Sequence, residues 1–77
     1  MLLQIKYFGL LTEVTGCNNE HFEFSGATVS DLLQELFIRY PDLTNKDFKV
    51  AVNQEIVSNN AIINEVEIAL LPPFSGG

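Results

Sequence analysis

Thr28 to Tyr40 is the stretch that most narrows the choice of fold. Val29, Leu32, Leu33, Leu36, Phe37 and Tyr40 recur at three- and four-residue spacing and line one apolar stripe of a helix. Thr28 precedes them as an N-cap, and Asp31, three positions on, answers it in a capping box. The charge of Asp31 also suits the first helical turn. Pro41 ends the helix, because the residue before a proline is pushed out of the helical region. Ser30, Gln34, Glu35 and Arg39 take the outward face. A stripe this wide and bulky needs a broad apolar surface to cover, and a sheet is the natural one. The two-layer solution is a single α+β domain over residues 1–77, with one main helix on one face of a mixed sheet.

The flanking segments supply strands. In Leu2 to Phe8, Leu3, Ile5 and Tyr7 alternate with Gln4 and Lys6. Phe8 falls on the polar face with Gln4 and Lys6. It reads either as a core residue after a local twist or as an exposed aromatic for a partner. Leu10, Leu11 and Val14 fit a short helical turn closed by Gly16. His21 to Ser25 is a second strand, with Phe22 and Phe24 on one face and His21 towards solvent. Beyond the helix, Leu43 anchors a polar connection. Phe48 to Val52 forms a third strand, Asn53-Gln54 a tight turn, and Glu55 to Ser58 a fourth strand. Asn59-Asn60 and Asn64-Glu65 turn again. Val66, Ile68 and Leu70 alternate with Glu67, Ala69 and Leu71 in the last strand. The outline is ββαβββ.

Composition and charge exclude several functions. Cys17 stands alone, which rules out an internal disulfide and a cysteine metal cluster, and His21 is the sole histidine. Neither has an evident catalytic neighbour in sequence. No metal site is expected. The net charge of −6 opposes binding to nucleic acid and favours a basic protein partner or plain solubility. No apolar run approaches the roughly 20 residues that span a bilayer, and no signal peptide opens the chain. The expectation is a cytoplasmic protein with no membrane association.

No side-chain constellation for catalysis is visible, so the last residues draw the argument. Pro72 and Pro73 end a sheet ladder and project the residues after them away from the body. Phe74 and Ser75 come next, then Gly76 and Gly77, which fit a passage too narrow for a Cβ. The bland alternative is a frayed terminus. The sharper reading makes residues 72–77 a flexible working tail on a folded handle. Its reactive group is then the carboxylate of Gly77. A carboxylate is a poor electrophile, so another enzyme must activate it as an acyl-phosphate or acyl-adenylate.

The chain resembles the small, sulfur-carrier subunit of molybdopterin synthase, in the ubiquitin-like β-grasp superfamily. The resemblance rests on Ile5-Lys6-Tyr7-Phe8-Gly9, on Ala51-Val52-Asn53-Gln54 with Val57-Ser58, and above all on the ending from Glu65 to Gly77. Two departures stand out. Ile63-Asn64-Glu65 replaces the family's usual Asp-Gly-Asp turn, and the turn is expected to survive because asparagine adopts the left-handed conformation almost as readily as glycine. Phe74 replaces a common valine.

The resemblance implies that an ATP-dependent adenylating enzyme activates Gly77, and that a persulfide donor turns it into a C-terminal 1-thioglycine. The tail, Pro72 to Gly77, then enters the large catalytic subunit and delivers sulfur to a cyclic pyranopterin monophosphate, forming the dithiolene. It implies a heterotetramer of two small and two large subunits, and no cofactor bound by this chain. By this reading the small subunit is not an enzyme on its own. Phe8 and Leu71 are candidate interface residues if both face outward, and the acidic surface would meet a basic large subunit. A sulfur carrier for thiazole synthesis and a ubiquitin-like protein modifier are the alternatives of similar chemistry. A purely structural binding module is the alternative of another class.

Overall fold

The first and last strands lie side by side at the middle of the molecule. The computed structural model describes residues 1–73. β1 (Leu2–Tyr7) and β5 (Glu67–Leu71) pair in parallel, with Ile5 opposite Ile68 and Tyr7 opposite Leu70. β2 (Asn19–Glu23) flanks β1 antiparallel, β3 (Lys49–Val52) flanks β5 antiparallel, and β4 (Glu55–Val57) closes the far edge. The sheet order is β2-β1-β5-β3-β4. Leu3, Ile5, Ile68 and Leu70 are fully buried under α2 (Val29–Arg39), whose Val29, Leu32, Leu33 and Leu36 complete the core. Each such buried aliphatic side chain contributes roughly 1.5–3 kcal/mol. The expected α+β architecture is the one observed.

Local chemistry explains the ends of α2. The Asp31 N–H donates to Thr28 Oγ1 at 3.2 Å, and the N–H groups of Ala27 and Thr28 donate to Asp31 Oδ2 at 3.0 and 3.1 Å. This is the expected capping box. The bonds from Ala27 and Thr28 hold the Asp31 carboxyl below the usual carboxylate range. At the other end Tyr40 caps the helix, and a 3₁₀ helix over Pro41–Asn45 comes next, anchored by fully buried Leu43.

Three expectations need correction. β2 starts at Asn19 rather than His21 and stops at Glu23, because β1 offers partners only from Lys6 back to Leu2. Phe24 still buries its ring, with its N–H donating to the Met1 carbonyl. Asn64 is not left-handed. The chain bends at Glu65–Val66, and the N–H groups of Gln4 and Asn53 fix the start of β5 by donating to the carbonyls of Val66 and Glu67, both at 2.8 Å. Val66 consequently lies outside the strand and is exposed. The Asn53–Gln54 turn is as expected. Both residues have positive φ, 50° and 70°, as a two-residue hairpin loop of the right twist requires.

The sequence reading missed the role of Glu20. Its Oε2 accepts hydrogen bonds from Tyr7 at 2.6 Å and Tyr40 at 2.7 Å, and its Oε1 lies 3.3 Å from Arg39. The two tyrosine rings meet edge to face, 6.2 Å apart. The cluster ties β1, β2 and the end of α2 together. Burial, reinforced by the Glu20 carboxylate, raises both phenols. Tyr7 moves far above its ordinary 10.0, and Tyr40 moves up to about 12. The folded state therefore favours both neutral phenols. That stabilisation is complete below pH about 10 and is lost as pH rises through the folded values. The chain has two tyrosines and no tryptophan, so ultraviolet titration reads these two alone. Phenolate absorbance in the folded protein is expected only near pH 12 and above, or together with alkaline unfolding, and near pH 10 in denaturant. Titration of both at about pH 10 with the circular dichroism unchanged would contradict the cluster.

Candidate functional site

The candidate site is the place where the chain leaves β5. Leu71 is the last strand residue, and Pro72 and Pro73 carry the chain off the sheet. Proline cannot donate to a neighbouring strand, so the ladder stops here. The N–H of Phe8 donates to the Leu70 carbonyl at 3.2 Å, which carries the β1–β5 pairing one step past the end of β1. Gly9 then turns the chain with φ +61°, and a Cβ built on it would lie 3.0 Å from Pro72 Cγ. Glycine serves twice here, because its φ is one that L side chains avoid and because the proline ring occupies the space a side chain needs. The exit of β5 is thus seated against the turn after β1.

Two hollows flank this exit. On the sheet face away from α2, a groove of about 350 Å³ is lined by Phe8, Ala51, Ile56, Ala69 and Leu71, with Lys6, Gln54 and Glu67 at its borders. Phe8 is 44% exposed and Ile56 56%, so apolar surface here faces outward. Of the two readings of Phe8, the structure selects the exposed aromatic. Small residues make the groove: Ala51 and Ala69 pair across β3 and β5 and leave a trough between the larger side chains. On the other flank, Pro72 and Pro73 share a cleft of about 410 Å³ with Leu10, Leu11, Asn45 and Lys46.

Of the residues singled out from sequence, Phe8, Leu71, Pro72 and Pro73 come together at this exit. Phe74, Ser75, Gly76 and Gly77 lie outside the described residues. His21 is exposed on the edge strand, opposite Gln4. Cys17 sits in the loop after α1 (Leu11–Thr15), where its N–H donates to Thr15 Oγ1 at 3.4 Å. Among the described residues no three His, Cys, Asp or Glu side chains are grouped to hold a metal ion. Gly9 and Ile56 were not identified as site residues by sequence reasoning. The Gly-Pro contact joins positions far apart in the chain, and Ile56 looks like any apolar strand residue until the sheet order is known.

Comparison with known proteins settles the family. The model of the ThiS family matches residues 5–77. The chain belongs to the ThiS family. Among its relatives, the molybdopterin synthase sulfur carrier subunit of Chlamydomonas reinhardtii is 36% identical, with all of each chain covered. A Pyrococcus furiosus protein described as molybdopterin converting factor subunit 1 superposes with a TM-score of 0.87 at 24% identity, over 96% of this chain and 99% of the other. Small archaeal modifier protein 1 of Haloferax volcanii superposes with a TM-score of 0.78 at 27% identity, over 95% and 98% of the two chains. These agree with the ubiquitin-like β-grasp architecture of this ThiS-family chain.

The packing of Gly9 against Pro72 is open to test by substitution. Gly9→Ala should cost about 1–2 kcal/mol for its left-handed backbone, and it should also shift the NMR signals of Leu71, Pro72 and Pro73. Gly16→Ala is the control, since Gly16 has φ +80° but nothing within 4 Å of the added Cβ. It should destabilise and leave the exit signals in place. Equal responses of those signals in the two variants would contradict the contact.

Proposed function

We propose that this chain is a sulfur carrier of molybdenum cofactor biosynthesis and works as the small subunit of molybdopterin synthase. The observation that carries the reading is the built exit of β5. Pro72 is seated on Gly9 next to an outward apolar groove, in a chain whose family match runs through to Gly77. A folded body of this kind suits a handle. Gly77 then supplies the reactive carboxylate, an anion at neutral pH.

The proposed chemistry runs in the pockets of partners. In the adenylating enzyme, a Gly77 carboxylate oxygen attacks the α-phosphorus of ATP and pyrophosphate leaves. A persulfide sulfur then attacks the acyl carbon and AMP leaves. Reduction of the resulting acyl disulfide by a thiol frees the C-terminal thiocarboxylate, the 1-thioglycine. In the large catalytic subunit, the thiocarboxylate sulfur attacks a side-chain carbon of the cyclic pyranopterin monophosphate, and the carbon–oxygen bond there breaks with its oxygen as the leaving group. Water then cleaves the acyl–sulfur bond, which leaves sulfur on the pterin and restores the Gly77 carboxylate. Two such deliveries complete the dithiolene.

Gly76 and Gly77 suit a narrow channel that keeps water from the thioacid. Pro72 and Pro73 reduce the entropy lost on presenting the tail, and Phe74 would anchor it by burying its ring. Phe8 and Leu71 belong to the docking face. The assembly would be a heterotetramer of two small and two large subunits in the cytoplasm. No helix among the described residues is long and apolar enough to cross a membrane, which fits that location.

The likeness to small archaeal modifier protein 1 favours a second reading, a protein modifier that forms isopeptides from the same activated tail. A thiazole-synthesis carrier would differ only in its acceptor. Intact mass after incubation with ATP, the cognate activating enzyme and a sulfur donor tests the shared step. A gain equal to one oxygen replaced by sulfur, located at Gly77 and absent when Gly77 is deleted, is the expected result. No gain, with the enzyme active on another carrier, would overturn the proposal. Adding the large subunit and the pterin precursor then separates the readings: the gain should be discharged to the pterin, whereas a modifier would become linked to lysine.

A further inference from the structure

The cleft of about 410 Å³ on the flank away from the open sheet face is walled from three places in the chain. Leu10 and Leu11 come from the start of α1, Lys46 follows the 3₁₀ helix, and Pro72 and Pro73 are the exit itself. The contact of Gly9 with Pro72 sets these walls together, because Gly9 turns the chain into Leu10 and Pro72 leads into Pro73. The Leu10 carbonyl accepts from the Glu13 N–H at 3.1 Å, so its backbone is held, while the residue stays 68% exposed. Pro73 is exposed as well. Apolar surface of this kind gains by being covered.

The chain carries a suitable cover itself. Residues 74–77 follow Pro73, and Pro73 lines the cleft. Consecutive Cα atoms are about 3.8 Å apart, so Phe74 starts at the lip. Among the residues after Pro73 it alone has a large apolar side chain. Pro72 and Pro73 have fixed φ, so little chain entropy opposes seating the ring. Lys46 suits an aromatic occupant, since its aliphatic stem can lie along a ring and its ammonium over the ring face. The ion pairs found among the described residues are Met1 with Glu23 and Arg39 with Glu20, and Lys46 takes part in neither. The groove on the open sheet face is a weaker host, because its lining includes Leu71 and neither proline.

We infer that in the uncomplexed chain Phe74 folds back and seats its ring in this cleft, between Leu10 and Pro73. The tail then rests on the body until a partner draws it out. Phe74 exchanges one seat for another, its own cleft for the partner's channel, and the first competes with every pocket that receives Gly77. That consequence rests on the carrier reading, whereas the seat is a property of the chain alone.

The test is NMR of the full chain without partners. The expected result is nuclear Overhauser contacts from the Phe74 ring protons to the Leu10 methyls and the Lys46 side chain. Phe74→Ser should shift the amide signals of Leu10, Leu11 and Lys46. Leu10→Ser removes one wall at an exposed position and should weaken the contacts between Phe74 and Lys46. Cleft signals that stay in place in Phe74→Ser, or Phe74–Lys46 contacts undiminished in Leu10→Ser, overturn the inference. Ring contacts to Phe8 or Ile56 instead would place Phe74 in the groove, and contacts seen only between differently labelled copies would place it in a second copy. Either result overturns the inference too. No partner enters this measurement, so its failure leaves the carrier reading standing. A chain that gains no sulfur at Gly77 loses the carrier reading and keeps the seat.

Discussion

The parallel pairing of β1 with β5 is the interaction on which the rest depends. It joins the first strand to the last, so forming it carries the loop-closure cost of everything between them. Its register decides three things together. It buries Leu3, Ile5, Ile68 and Leu70 under the helix. It turns Lys6, Glu67, Ala69 and Leu71 to the open face. It also brings the turn at Gly9 against Pro72. A slip of one residue would move the apolar set to solvent and the charges into the core, and it would detach the exit from its seat. Core packing and the placement of the β5 exit are thus consequences of the same hydrogen bonds.

Much of this was legible in the sequence, for reasons that differ by element. The α2 helix was readable because its signal is local: a stripe at helical spacing, a Thr28–Asp31 capping box and a proline stop. The hairpin at Asn53–Gln54 and the cap at Gly16 were readable because each turn has its own chemistry. The limits of β2 were not, since β1 sets them. The bend at Glu65–Val66 was misplaced because bonds from Gln4 and Asn53, distant in sequence, decide where β5 begins. Nothing local sets Glu20 apart in the sequence, and only the fold shows that it receives two tyrosine hydroxyls.

The candidate site divides in the same way. Pro72 and Pro73 declare themselves, because proline has a fixed effect on a strand. Phe8 was ambiguous, because alternation placed it on the polar face and burial alone could decide whether it turned inward. The groove between Phe8, Ile56 and Leu71 depends on Ala51 and Ala69, two small residues whose importance appears only when they are neighbours across strands. Such a site leaves few marks in side-chain chemistry. The marks it does leave are a seated exit and an outward apolar trough.

The proposed function divides the labour between a body that docks and an end that reacts. The most direct measurement compares the full chain with one lacking Gly76 and Gly77 for binding to the large subunit and for sulfur delivery to the pterin. Binding should weaken by less than about tenfold, or about 1.4 kcal/mol, while delivery is abolished. Delivery that persists without the two glycines, or binding that disappears with them, would contradict it.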